Sequence, residues 1–185
     1  MMKKLILVTG GARSGKSSYA LELCESLSEE RCFIATCPVI DPEMDERIQA
    51  HKLEREGRGW HSFEEETGIA NLFPKLGSFQ MVLVDCLTLW VNNLMFLAER
   101  EGRTFGEKQM QETAEKLVQA IAGFPGSVCL VTNEVGMGIV PDNALARKYR
   151  DLVGSCNRYL AKRADEVILV SCGIPLHLKT LNIQH

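Results

Sequence analysis

The sequence is most informative at residues 5–17, which read LILVTGGARSGKS. The part from Gly10 onward matches the pattern G-x-x-x-x-G-K-[ST] without a departure. A short apolar run precedes the pattern, as expected of a buried strand, and residues 16–27 have the spacing of an amphipathic helix. A glycine turn that matches by coincidence would explain neither neighbour. We therefore interpret the stretch as a phosphate-binding loop between a strand and a helix.

A loop of this kind indicates a specific chemistry. Its glycines let backbone N–H groups converge on phosphate oxygens, and the following helix adds its positive end. Lys16 is expected to reach the β- and γ-phosphates, and the Ser17 hydroxyl to bind Mg²⁺. Residues 81–85 form an apolar run that ends in Asp85, as is typical of the strand whose carboxylate faces that metal. An Asp that merely precedes a turn is the alternative, but together the two features predict a protein that binds a magnesium nucleotide.

The rest of the chain alternates short apolar runs with helical patterns. This alternation predicts an α/β fold, with a mostly parallel sheet covered by helices on both faces. Gly173 and Pro175 between the last two strands favour a tight turn and an antiparallel edge strand. No linker or shift in composition divides residues 1–185, so we expect a single domain. The predicted strands are residues 5–9, 32–36, 81–85, 128–132, 167–171 and 176–179, and the predicted helices are residues 16–27, 42–55, 107–122 and 141–163, the last opened by Pro141.

Composition excludes several classes of protein. The 185 residues include 21 basic and 24 acidic side chains, a net charge of −3, so we expect no nucleic-acid partner. A hydrophobic share of 45% with 24% charged residues is ordinary for a globular domain. No apolar stretch approaches the length of a membrane span. The seven cysteines are odd in number and form no C-x-x-C pair, which favours a reducing, cytoplasmic compartment.

His51 is the most interesting residue of the polar helix predicted at residues 42–55. Arg47 and Arg55 lie four residues to either side of it, on the same helix face. A solvent-exposed surface histidine is one interpretation. The other is a neutral imidazole between two guanidinium groups, an arrangement suited to attack on a nucleotide phosphate.

Several motifs together carry a resemblance to a known family. They are ILVTGGARSGKS at residues 6–17, Ala35-Thr36, Arg47-Ile48-x-x-His51, Asp85-Cys86-Leu87-Thr88 with Asn93 after it, and VTNEVGMGIVP at residues 131–141. The last string is the most specific, since a generic phosphate-loop kinase has no reason to carry its eleven residues. With these motifs the chain, through Lys179, resembles the bifunctional adenosylcobinamide kinase / adenosylcobinamide-phosphate guanylyltransferases of cobalamin biosynthesis.

The resemblance implies a phosphate-loop NTPase with a RecA-like sheet, a homotrimeric assembly and two reactions. In the first, ATP or GTP phosphorylates the aminopropanol hydroxyl of adenosylcobinamide. In the second, GMP passes from GTP to a histidine, which matches His51, and then to adenosylcobinamide phosphate, giving adenosyl-GDP-cobinamide. Both reactions use Mg²⁺, for which Ser17 and Asp85 are the expected ligands.

The resemblance also implies a nucleotide-binding set. One departure affects it: the family pattern has Arg-Pro and then Trp after the histidine, whereas here Glu56 follows Arg55 and Trp60 comes one residue later. The implied set consists of Gly10, Gly11, Ala12, Arg13, Ser14, Gly15, Lys16, Ser17, Ala35, Thr36, Cys37, Lys52, Leu53, Glu54, Arg55, Glu64 and Asp85.

Two alternative functions, and two alternative roles for Glu134, remain at this point. A monofunctional phosphate-loop kinase for a small molecule would leave His51 merely exposed and the string at residues 131–141 unexplained. A nucleotide-dependent switch or assembly ATPase should carry a further interaction domain, for which 185 residues leave little room. Glu134, after the predicted strand at residues 128–132, is a candidate to orient an acceptor or a metal-bound water, with a carboxylate that caps a loop as the alternative.

Overall fold

The computed structural model describes residues 3–38 and 42–180; within α2 the side chains of residues 42–45, 47, 50 and 51 lie outside the described part. The described chain alternates strands and helices almost throughout. Short 3₁₀ turns occur at Ile69–Asn71, Phe73–Lys75 and Val135–Met137. The strands are β1 (Leu5–Gly10), β2 (Arg31–Ala35), β3 (Trp60–Glu64), β4 (Met81–Asp85), β5 (Ser127–Val131), β6 (Glu166–Ser171) and β7 (Ile174–Lys179), and the helices are α1 (Lys16–Leu27), α2 (Pro42–Arg55), α3 (Leu87–Arg100), α4 (Glu107–Gly123) and α5 (Ala144–Arg163).

The seven strands form one sheet in the order β3-β2-β4-β5-β1-β6-β7. All neighbouring pairs are parallel except β6 and β7, which are antiparallel. The predicted α/β architecture and its antiparallel edge strand are therefore confirmed. In this order β5 lies between β1, which precedes the phosphate loop, and β4, which ends in Asp85. The residues that follow β5 therefore lie between these two parts of the predicted nucleotide site.

Both faces of the sheet are buried, and each has its own hydrophobic core. Ile6 and Val8 of β1 face a smaller core that includes Leu21 of α1. Their neighbours Leu5 and Leu7 face a larger core, to which α3, α4 and α5 contribute Trp90, Leu117 and Leu160 among others. Burial on two faces explains why the central strands are continuously apolar rather than alternating. None of the described helices is both long and apolar enough to cross a bilayer.

Helix α5 begins later than the sequence suggested. Pro141 does not open it; the helix starts at Ala144, and Asn143 is its N-cap. The Asn143 Oδ1 accepts hydrogen bonds from the backbone N–H groups of Leu145 at 2.7 Å and Ala146 at 3.2 Å. A side-chain acceptor that satisfies two free N–H groups fixes the start more strongly than the preference of proline for a first turn.

The prediction from sequence missed two elements, α3 and β3. Helix α3 reads LTLWVNNLMFLAER and buries Leu87, Trp90, Val91, Met95 and Ala98 at helical spacing, so the sequence does carry its signal and the prediction overlooked it. Strand β3 reads WHSFE and pairs only with β2 at the sheet edge, where polar side chains are tolerated. The predicted elements otherwise end within two residues of those observed.

Candidate active site

The predicted site residues gather at one edge of the sheet, where the parallel strands have their carboxyl ends. Ala35, at the end of β2, pairs with Glu64 of β3 on one side and with Asp85 of β4 on the other. Asp85 in turn pairs with Val131, the last residue of β5. In open α/β sheets this edge is where ligands bind.

The phosphate loop follows β1 directly and has the backbone that an anion needs. Gly15 has a φ of 87° and caps α1 without a side-chain hydrogen bond, so the first N–H groups of the helix face the loop. Lys16 is 9% exposed, and its Nζ donates to the Gly11 carbonyl oxygen at 3.2 Å, across the loop. The Ser14 Oγ is buried and has no partner among the described residues. A phosphate oxygen would supply the acceptor that this hydroxyl lacks.

Two contacts keep the loop close to the sheet. A Cβ on Gly10 would lie 2.4 Å from the Val170 carbonyl oxygen and 2.5 Å from the Ser14 Oγ, so only glycine fits there. The Gly173 N–H, in the turn between β6 and β7, donates to the Ser14 carbonyl oxygen at 2.8 Å. The antiparallel edge of the sheet thus supports the loop from behind.

The charges of Lys16 and Asp85 both reach the buried thiol of Cys86. Burial raises the pKa of the Cys86 thiol to about 11; the Asp85 charge adds to this increase and the Lys16 charge opposes it. Ser17, half-buried in the first turn of α1, and Asp85 offer the hard oxygen ligands that Mg²⁺ prefers. The described residues contain no cluster of three or more His, Cys, Asp or Glu side chains that could hold a metal. A two-ligand site completed by nucleotide phosphates and water is the arrangement usual for Mg²⁺.

The last turn of α2 reaches the same edge from the other end of the site. Arg55 is 6% exposed, and its guanidinium carbon lies 3.7 Å from the ring centroid of Phe33 in β2. Burial lowers the pKa of Arg55, and the negative charge of Asp85 opposes that shift. Lys52 Nζ donates to Glu64 Oε1 at 2.8 Å, an exposed pair that orients two predicted nucleotide contacts but adds little stability.

The remaining predicted residues fall into four groups, of which Thr36 and Cys37 are the last. Gly11, Ala12 and Arg13 are exposed on the loop, as a ligand contact requires. Leu53 is 67% exposed and Glu54 is also exposed, on the outside of α2. The side chain of His51 lies outside the described part of the structure, although its backbone belongs to α2, one turn before Arg55.

Thr36 and Cys37 follow β2, and the role of Thr36 is one of support. Thr36 is fully buried; its hydroxyl donates to the Cys86 carbonyl oxygen at 2.8 Å and accepts from the Cys86 N–H at 2.8 Å. The Asn93 amide donates to the carbonyl oxygens of Thr36 at 2.8 Å and Glu66 at 3.0 Å. These bonds tie together the ends of β2, β3 and β4. Cys37 is half-buried next to them.

Sequence reasoning missed Asn157, which belongs to a second group of polar residues at the end of β5. Asn157 of α5 is 8% exposed and donates to the Asn133 carbonyl oxygen at 3.0 Å. Asn133 in turn donates through its side chain to Thr88 Oγ1 at 2.9 Å. The one available signal was Asn157 itself, a polar residue within the otherwise apolar face that Val153, Cys156 and Leu160 give to α5.

The fold and the loop define the class: this is a phosphate-loop nucleotide-binding protein, with Asp85 at the same edge of the sheet as the loop. Comparison with known proteins specifies the family. Residues 6–178 match the model of the family described as cobinamide kinase / cobinamide phosphate guanyltransferase. The chain therefore belongs to that family, and the resemblance found in its motifs is confirmed.

Individual relatives agree over nearly the whole length of the chain. It is 41% identical over 182 residues to the bifunctional adenosylcobalamin biosynthesis protein CobU of Salmonella typhimurium, covering 95% of this chain and 99% of that one. It is 39% identical to CobU of Escherichia coli K12, with the same coverage. It is 37% identical to the bifunctional adenosylcobalamin biosynthesis protein CobP of Pseudomonas aeruginosa, covering 94% of this chain and 96% of that one.

Proposed function

We propose that this protein phosphorylates adenosylcobinamide with ATP or GTP and then transfers GMP from GTP, through His51, to adenosylcobinamide phosphate. The observation that carries the proposal is the meeting of two elements at one sheet edge. The phosphate loop and Asp85 both lie at this edge, and the helix that contains His51 packs on β2 through the buried Arg55, whose guanidinium carbon lies 3.7 Å from the ring centroid of Phe33.

For the kinase step, the chain supplies positioning and charge. The backbone N–H groups of the loop and the ammonium of Lys16 are placed to hold the β- and γ-phosphates, which stabilises the charge on the departing oxygen. Mg²⁺, held by Ser17 and Asp85, would neutralise phosphate charge when it is bound with the nucleotide. The acceptor hydroxyl then approaches the γ-phosphorus from the open side of the loop.

For the guanylyl step, the same cradle holds GTP while a different phosphorus is attacked. The neutral imidazole of His51 forms a bond to the α-phosphorus, and pyrophosphate leaves with the electron pair of the broken bond. His51 precedes Arg55 by four residues, which is one helical turn and about 6 Å along the axis. The backbone of His51 therefore lies one helical turn from Arg55, which is buried against Phe33 of β2. In the second half of the step, the phosphate of adenosylcobinamide phosphate displaces His51 from the α-phosphorus.

Labelled nucleotide tests the proposal directly. Incubation with α-labelled GTP and Mg²⁺, followed by denaturation, should leave label on the wild-type protein. The adduct should be acid-labile and stable in base, because a phosphoramidate breaks once its ring nitrogen is protonated. His51→Ala and His51→Asn should form no adduct, since neither has an imidazole, yet should retain much of the kinase activity. His177→Ala, an exposed histidine of β7, is the matched control and should label normally.

Two outcomes would contradict this assignment. A labelled, acid-labile adduct on either His51 variant would place the nucleophile elsewhere, and His61 would be tested next. Loss of kinase activity as complete as the loss of the adduct would mean that His51 holds the nucleotide rather than attacking it. A wild type that phosphorylates adenosylcobinamide but never takes up label would instead favour the monofunctional kinase.

The proposal includes the setting of the enzyme. We place it in the cytoplasm, because the seven cysteines, all within the described residues, form no disulfide, as expected of a reducing compartment. We further propose a homotrimer, as the family resemblance implies. Exposed apolar side chains of β7 (Ile174, Leu176 and Leu178, each more than half exposed) supply surface for such an assembly. Light scattering on a size-exclusion column should give three times the 20.6 kDa of one chain.

A further inference from the structure

The feature that the proposed mechanism leaves unused is the carboxylate of Glu134, directly after β5. Its Oε1 accepts hydrogen bonds from the Thr9 hydroxyl at 3.0 Å and from the Asn157 amide at 3.4 Å. Asn157 is itself oriented, because its Oδ1 accepts from the Thr132 hydroxyl at 2.7 Å, which leaves its amide as the donor. Thr9, Thr132 and Asn157 are each at least nine-tenths buried. The carboxylate is therefore held by a preorganised set of donors.

The sheet order places this carboxylate between the two parts of the phosphate site. Strand β5 lies between β1 and β4, so the residues that follow it lie between the phosphate loop and Asp85. The backbone N–H of Glu134 donates to the Gly10 carbonyl oxygen at 3.1 Å, which fixes it beside the start of the loop. Glu134 therefore lies beside the loop that is proposed to hold the nucleotide phosphates.

The hydrogen bonds do not fit a carboxylate that merely caps its own loop. A cap would accept backbone N–H groups of residues 135–140, whereas both donors to Glu134 are side chains from distant elements, β1 and α5. Both bonds go to Oε1. Among the described residues none donates to Oε2, and none of their cations forms an ion pair with Glu134. One oxygen of a half-buried, oriented carboxylate is thus available to a substrate.

We propose that Glu134 is the catalytic base of the phosphorylation step and has no part in the transfer of GMP to His51; this rests on the proposed function. The proton of the acceptor hydroxyl moves to Oε2 of Glu134 as the oxygen forms its bond to the γ-phosphorus. The bond from that phosphorus to the β-phosphate oxygen breaks, and the nucleoside diphosphate leaves with the electron pair. In the guanylyl step the attacking groups are a neutral imidazole and then a phosphate anion, and neither needs to lose a proton to a base.

The decisive experiment compares both reactions in one variant. Glu134→Gln keeps the size and polarity of the side chain but cannot accept the proton. Its kcat for phosphorylation of adenosylcobinamide should fall roughly 10²- to 10⁴-fold, the usual contribution of a general base, with little change in KM for ATP. Its rate of labelling by α-labelled GTP should stay near that of the wild type, which also shows that the variant is folded and binds nucleotide. Glu112→Gln, at an exposed position of α4, is the matched control and should leave both rates unchanged.

The outcomes separate this proposal from the one on which it rests. Phosphorylation by Glu134→Gln within about threefold of the wild type would overturn the proposal, because a lost base costs at least about a hundredfold. Equal loss of phosphorylation and labelling would also overturn it, since Glu134 would then support the nucleotide site as a whole. A wild-type protein that phosphorylates no adenosylcobinamide would refute the kinase part of the proposed function, and this assignment with it.

Discussion

At the scale of single residues, Thr9 connects the phosphate loop to the proposed base and can be tested without touching either. Thr9→Val keeps the shape of a buried side chain and removes the hydroxyl that donates to Glu134. A hydrogen bond to a charged group contributes about 1.5–3 kcal/mol, so we expect a loss of roughly tenfold or more in kcat for phosphorylation. KM for ATP and the rate of histidine labelling should change little.

The serine variant separates positioning from packing at this site. Thr9→Ser restores the hydroxyl while it removes a methyl group, so it should recover most of the activity that Thr9→Val loses. If the serine variant is as impaired as the valine variant, the buried methyl group matters and the hydrogen bond does not. Urea unfolding of all three proteins would show whether stability follows the same order.

The residues whose positions the sequence predicts belong to local motifs, whereas those that it does not predict depend on contacts between distant parts of the chain. Lys16 begins α1 and Asp85 ends β4, as their motifs predicted, because a local pattern determines the element. The contact between Thr9 and Glu134 joins residues 125 positions apart, and it depends on β5 pairing beside β1. No local pattern contains that information. Only the complete sheet shows that Glu134 has side-chain partners and is no simple loop cap.

At the scale of elements, the observed start of α5 makes a quantitative prediction about stability. Asn143→Ala removes both hydrogen bonds to the first turn of the helix and should lower the free energy of unfolding by about 1 kcal/mol. Asn143→Asp keeps an acceptor at the N-cap and should unfold close to the wild type. Denaturant melts followed by circular dichroism measure both. A fully stable alanine variant would mean that Pro141, and not Asn143, defines the start of the helix.

The strands also show where hydrophobic patterns in the sequence predict an element and where they do not. The buried parallel strands were identified because burial on two faces makes them continuously apolar. Strand β3 lacks that signal, because at the sheet edge its polar His61 and Ser62 remain exposed. Glu64 could therefore be assigned to the site only by resemblance, and the structure shows the reason for its position: β3 pairs with β2 so that Glu64 is level with Ala35.

At the scale of the whole molecule, the sheet order brings the phosphate loop, Glu134, Asp85 and the end of α2 to one edge of the described structure. The phosphate loop and Glu134 lie at the β1–β5 side of this edge, Asp85 follows in the middle, and α2 approaches from the side of β2 and β3. Phosphoryl and guanylyl transfer need the same cradle, and they differ in which phosphorus is attacked and by what. We therefore expect one nucleotide site to serve both reactions rather than two sites.

A single shared site predicts that the two reactions cannot be separated through the nucleotide. The non-hydrolysable analogue β,γ-imido-ATP should inhibit labelling by α-labelled GTP competitively, with an inhibition constant equal to the one that it shows against ATP in the kinase assay. Lys16→Ala and Asp85→Asn should impair both reactions, because each removes a charge that both transition states use. In this respect they differ from Glu134→Gln, which should impair only the kinase, and from His51→Ala, which should impair only the guanylyl transfer. Two results would mean that GTP binds at a second place for guanylyl transfer. One is labelling that persists at a saturating concentration of the analogue. The other is a Lys16→Ala protein that labels normally although its kinase activity is lost.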